Sequence, residues 1–276
     1  MDNKEIALTA GASALPLLSG DLGAMAYKSG IPLLGRDLPK EHSVEALKRL
    51  RNILRVPEEM VPVLHDLTRY KGGPQSSALF YGLSGYPEDT AKYFRDRDIL
   101  NPETGKRFRP GANVFSPSDL AKKQPRGAVL LRHTKDVATL AHELGHATAL
   151  NRGLIGKLRS VSDNISRRLT GGAMFPVRYG AALSPIFMDP DNPYLYAPAA
   201  AMAAAEAPLL LEEATASTKA ISALKKMQGD PRVTPGSLTK SQYAAAKKLL
   251  GRMFASYALP AAGFIGAPLA LAALKD

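Results

Sequence analysis

The sequence predicts a mostly α-helical chain with a small β element, an α+β protein dominated by its helices. Three observations carry that prediction. Apolar residues recur at helical spacing in 43–55 (SVEALKRLRNILR). Ala-rich apolar runs fill the N-terminus and the final third, the last being 253–274 (MFASYALPAAGFIGAPLALAAL), which holds no charged residue. Only Ala128-Val129-Leu130-Leu131 has the short, apolar character of a strand, bounded by Gly127 and Arg132.

Taken in order, residues 6–20 and 22–35 are two apolar, Gly-rich runs separated by Asp21. Each is too short to cross a bilayer comfortably. They read either as an interfacial or re-entrant segment or as an apolar N-terminus packed on the domain. The residues before them are not uniformly basic, so no cleavable signal peptide is expected. In 43–55, Val44, Leu47, Leu50, Ile53 and Leu54 form one side of a helix, while Lys48, Arg49, Arg51 and Arg55 fill the other. Pro57 closes it. A second helix is expected over 58–70, a Gly- and Pro-rich loop over 71–87, a short helix near 88–97 and turns over 101–127.

The strand candidate 128–131 is expected to be an edge strand, open to pairing with an extended peptide. Thr134 is placed as N-cap of a helix reaching about Asn151, with Asp136 in its first turn. Val137, Leu140, Ala141, Leu144 and Ala147 give that helix its buried side. Further on, 171–188 and 194–211 read as an apolar helical hairpin around the turn Asp189-Pro-Asp-Asn-Pro193. Pro208 is read as a helix start, and 229–242 as a loop. The uncharged stretch 253–274, flanked by Lys247, Lys248, Arg252 and Lys275, is the best candidate for a membrane span. Its alternative is a buried helix pair in a soluble domain.

The chain has 276 residues and no cysteine, which excludes disulfide scaffolds and Cys-ligated zinc. Any metal site must use histidines and carboxylates. The net charge of +11 favours an anionic contact. No nucleic-acid motif accompanies it and the basic residues are scattered, so nucleic acid is the weaker partner and an anionic membrane surface the better match.

Within the helix after the strand, His142-Glu143-Leu144-Gly145-His146 reads H-E-x-x-H. Four-residue spacing sets two imidazoles on one helix face, as a zinc ion requires, with the glutamate available as general base. A catalytic site needs a third protein ligand. No histidine follows His146, and His42, His65 and His133 have no helpful spacing, so a downstream carboxylate is expected. Glu213 qualifies because Ala216, Ser217 and Ala220, at +3, +4 and +7, line its face with small side chains that permit close approach to the metal helix. Glu212, turned by about 100° on the helix, ranks second. The plainer reading of both is a pair of carboxylates near a helix start.

LAHELGHATAL followed far downstream by EATASTKA resembles the YugP-type family of neutral zinc metallopeptidases, and more distantly HtpX and the CaaX-prenyl proteases. GLIGKLRS at 153–160 is similar to the segment after the metal helix in that group. The resemblance spans roughly 125–275 and does not reach the first 120 residues. It implies gluzincin-like metal-site helices: His142, His146 and Glu213 as ligands of one zinc ion, Glu143 as base, and Ser217 at the family's Ser/Asp position. Family members carry longer and more continuous membrane helices than this chain.

The chain is accordingly divided into 1–120, of unassigned role, and 121–276, a zinc-peptidase-like domain with apolar helices. The expected function is a membrane-associated zinc metalloendopeptidase acting on proteins or peptides. Tyr194, Tyr196 and Tyr243 are its weak candidates for an oxyanion stabiliser. The alternative is a membrane-interacting or structural protein, for instance a particle component, that retains the fold without hydrolysis.

Overall fold

The structure, a computed structural model, describes residues 3–56, 63–65, 78–80, 128–131, 136–150 and 174–275. It is mostly helical, with α1 (Asn3–Lys28), α2 (Val44–Leu54), α3 (Val137–Leu150), α4 (Met174–Leu183), α5 (Ala197–Lys226) and α6 (Lys240–Ala273). The expected helices over 88–97 and the GLIGKLRS segment lie outside the described residues, as do the loops of 81–127.

Three stretches pair in extended backbone: β1 (Val63–His65), β2 (Ala78–Phe80) and β3 (Ala128–Leu131), in the order β1-β3-β2. β1 runs parallel to β3 and β2 antiparallel to it, with Val129 opposite both Val63 and Leu79. At three or four residues each, they do not make a sheet layer of an α+β fold, and the class is mostly α. β3 is flanked on both sides, so the expectation of an open edge at 128–131 is overturned: its main-chain groups already face two neighbours. Residues 63–65, expected in a helix, are β1 instead; three residues carry too little periodicity to separate the two conformations.

Two compact units make up the chain, each assembled from segments far apart in sequence. One comprises 1–31, 154–213 and 251–276, the other 32–153 and 214–250. Two of the cuts between them fall inside α5 and α6, where no change in composition marks them.

In the second unit, α2 forms where the amphipathic spacing places it. Ser43 caps it, its hydroxyl accepting from the Ala46 amide at 3.1 Å, and Arg55 ends it in the left-handed region at φ 55°. Leu50 is buried and Val44 exposed, so the stripe that packs is narrower than the one drawn from sequence. Arg51 on the basic side is also buried, and one of its guanidinium nitrogens donates to the Val56 carbonyl. Arg49 donates to the Ser237 hydroxyl. That brings the 227–239 loop against the start of α2, where Gly236, at φ 76°, leaves no room for a Cβ: one would lie 2.6 Å from the Ala46 nitrogen. α6 then opens on a capping box. The Thr239 hydroxyl accepts from the Gln242 amide at 3.2 Å, and the Gln242 side chain accepts from the Thr239 amide at 3.0 Å.

In the first unit, α1 is one helix of 26 residues rather than two runs split at Asp21. Asp21 sits on an exposed face, where a charge does not interrupt the backbone ladder. Pro208 likewise lies inside α5 rather than at a helix start. It removes one bond to the carbonyl four residues back while the turns on either side hold the helix. Ala182, Met202, Phe264 and Ala267 form the core of this unit. The Tyr179 hydroxyl donates to the Ser13 carbonyl at 3.1 Å, and Arg178 pairs with the buried Glu206 at 3.2 Å. α1 and α6 are each long and apolar enough to cross a membrane.

Candidate metal centre

α3 begins at Val137 because Asp136 caps it. One carboxylate oxygen accepts from the Ala138 and Thr139 amides, each at 2.9 Å, and the other from the Thr139 hydroxyl at 2.7 Å. The expected cap, Thr134, lies outside the described residues. Burial pushes the Asp136 carboxyl above its ordinary pKa, against the opposing pull of these hydrogen bonds. Leu140 and Leu144, fully buried, hold the helix in the interior.

From this anchored start, the four-residue spacing brings the two histidines together. His142 and His146 are 2% and 6% exposed, with ring centroids 4.6 Å apart and planes at 84°. Their Nε2 atoms face each other at 3.1 Å. Two imidazoles on a tetrahedral zinc, with Zn–N bonds of about 2.0–2.1 Å, hold their nitrogens about 3.3 Å apart. The donor spacing therefore fits that ion.

Glu213 completes the group. Ligand atoms of His142, His146 and Glu213 all lie within 4.8 Å of one another, and all three residues are buried. This buried cluster can hold a metal ion. Glu212, also buried, is not among its members. Glu143 is buried as well, at 7% exposure.

Small side chains set the reach of the carboxylate. A Cβ on Gly145 would stand 2.6 Å from the carbonyl oxygen of Ala216, so α3 and α5 approach backbone to backbone. One turn beyond Glu213, the Ser217 hydroxyl lies 3.3 Å from His142 Nδ1. A hydrogen bond at Nδ1 fixes the ring's orientation and leaves Nε2 to face the cluster. Lys219 donates to the Thr148 hydroxyl at 2.9 Å, a second link between these helices. Sequence reasoning passed over that link; Lys219 and Thr148 each lie six positions after a ligand, on Glu213 and His142 respectively, and that shared offset was the available signal.

Of the tyrosines considered for the oxyanion, Tyr194 and Tyr196 lie on the surface, 70% and 41% exposed. Tyr243 is partly buried in the first turn of α6. No family model, curated protein or solved structure matches the chain.

Proposed function

We propose that the chain is a membrane-associated zinc metalloendopeptidase of gluzincin type, acting on proteins or peptides. The observation that supports it best is the convergence of His142, His146 and Glu213 in one buried cluster whose histidine nitrogens have the spacing of zinc ligands. A zinc ion held there supplies Lewis acidity toward a peptide carbonyl and toward water. Glu143, next to His142 on α3, takes the proton from the water whose oxygen attacks the scissile carbonyl carbon. It then returns that proton to the amine nitrogen as the C–N bond breaks. Ser217 keeps His142 turned toward the metal, and Gly145 lets Glu213 come within reach. The net charge of +11 and the two long apolar helices support association with an anionic membrane surface.

Metal content and proteolysis test the reading together. The purified protein is expected to carry one zinc per chain, lost in His142→Ala and Glu213→Ala. Glu143→Gln should keep the metal and lose peptide hydrolysis, since ligation does not use Glu143 and proton transfer does. A wild-type protein that binds no zinc ends the proposal.

A further inference from the structure

The unit formed by 1–31, 154–213 and 251–276 carries its bulk on the outside. Large apolar side chains are exposed on each of its helices: Leu18 and Met25 of α1, Val177 of α4, Leu211 of α5 and Leu269 of α6. Met25 is 64% exposed and Leu18 55%. Among the described residues of the other unit, only Val44 and Val233 are exposed large apolar side chains. Each such side chain left in water forgoes the stabilisation its burial would give, so an arrangement repeated on four helices is costly in water.

The contact between α1 and α6 within this unit is built of small residues. A Cβ on Gly23 would meet Pro260 at 2.9 Å and the Ser256 carbonyl at 3.0 Å, and one on Gly263 would collide with Ser19. Water-soluble bundles put large residues at the seam. Helices in hydrocarbon associate through small residues, because their large ones gain nothing by leaving lipid. Gly23 meeting Pro260, Ser19 meeting Gly263, and Arg252 donating to the Ser29 carbonyl place α1 and α6 antiparallel.

Polar and aromatic groups bracket this surface. At one end stand Lys28, Arg252 and the partly exposed Tyr257. At the other, Lys275 donates to the Ile186 and Met188 carbonyls, beside Phe187, which is 87% exposed. From Tyr257 the helix runs sixteen positions to Ala273, about 24 Å, with Lys275 two residues beyond, against the roughly 30 Å of a bilayer's hydrocarbon core. Aromatic and cationic side chains at both ends are the usual membrane boundary. Asp21 lies on the Lys28 side of α1, within about 11 Å of that end at 1.5 Å per residue.

We infer that this unit inserts into the bilayer, with α1 and the part of α6 from Gly251 onward as an antiparallel spanning pair whose outward faces contact acyl chains. The inference rests on the membrane association proposed above and extends it from surface contact to insertion. It does not depend on zinc or on catalysis.

Because the chain has no cysteine, single cysteines report on chosen positions. Leu18→Cys, Leu269→Cys and Val233→Cys, all at exposed sites, would each carry an environment-sensitive fluorophore in the full chain, reconstituted into phosphatidylcholine–phosphatidylglycerol vesicles. The labels at 18 and 269 are expected to shift to the blue, to be quenched by acyl-chain spin labels and to lose quenching by aqueous iodide. The label at 233 should stay iodide-accessible. If the protein floats with vesicles while 18 and 269 remain as accessible to iodide as 233, association stands and insertion falls. If it does not float, both fall. If a detergent-free oligomer shields 18 and 269 without lipid, copies of the chain cover this surface and the inference is overturned.

Discussion

Gly145 of α3 and the Ala216 carbonyl of α5 are in contact, leaving only 2.6 Å for any Cβ at position 145. Backbone oxygen cannot swing away as a side chain can, so the two helices must part if the position gains a methyl group. Gly145→Ala should gain up to about 1 kcal/mol of helix propensity and lose about 1–3 kcal/mol to overpacking. The expected net result is a less stable protein with weakened metal binding, because Glu213 is drawn back from the histidines. Denaturant unfolding and zinc titration of the variant check both.

Ser217→Ala removes the hydroxyl that faces His142 Nδ1. Loss of such an outer partner should weaken zinc affinity about 10- to 100-fold while the fold persists. Competition against a chromophoric chelator measures the affinity, and Ser217→Thr, which restores a hydroxyl, should recover part of it.

Chelation gives a thermodynamic signature. Zinc at about 100 times its dissociation constant should stabilise the folded chain by about 2.7 kcal/mol, and a chelator should remove that increment. In Glu213→Gln the increment should shrink sharply. Thermal unfolding with and without metal decides it: equal responses in wild type and variant would contradict the role of Glu213.

Asp136 is expected to give stability a pH dependence of known sign. Burial raises its pKa in the folded chain, so the folded state holds the proton more tightly than the unfolded one. Its contribution is full below the ordinary aspartate value of 3.8 and is lost as pH rises through the raised value. Asp136→Asn keeps an oxygen for the Ala138 and Thr139 amides and removes the desolvated charge. At neutral pH this variant should be at least as stable as wild type, and flat across that window. Asp136→Ala, which loses the cap, should cost about 1–2 kcal/mol.

Two glycines three residues apart on α6 should respond oppositely to alanine. Gly263 faces Ser19, whereas Gly266 has nothing within 4 Å of its Cβ position. Gly263→Ala should destabilise the α1–α6 contact, and Gly266→Ala should be neutral or stabilising by up to about 1 kcal/mol. Unfolding followed by α-helical circular dichroism in detergent separates the two.

The site was more readable in the sequence than the fold. The H-E-x-x-H spacing fixes two side chains on one helix face by local geometry alone, and small residues at +3, +4 and +7 from Glu213 marked the carboxylate that joins them. What escaped was whatever depends on distant partners. β3 read as an edge because its neighbours, Val63–His65 and Ala78–Phe80, are three-residue stretches with no pattern of their own. The cap moved from Thr134 to Asp136 because several residues there offer an oxygen, and only the helix register chooses among them. Pro208 and Asp21 looked like boundaries because each is locally unfavourable in an apolar helix; length and packing carried α5 and α1 through them.

The small seam between α1 and α6, with large side chains on their outer faces, also determines which positions of these helices can drift over evolution. Lipid is indifferent to which apolar side chain it meets, so Leu18, Met25 and Leu269 should tolerate exchange among leucine, isoleucine, valine and phenylalanine. Ser19, Gly23 and Gly263 have no space to grow. A saturation-mutagenesis map of α1 and of α6 from Gly251 onward should be inverted relative to that of a water-soluble helix pair, permissive toward bulk on the outer faces and strict about smallness at the seam.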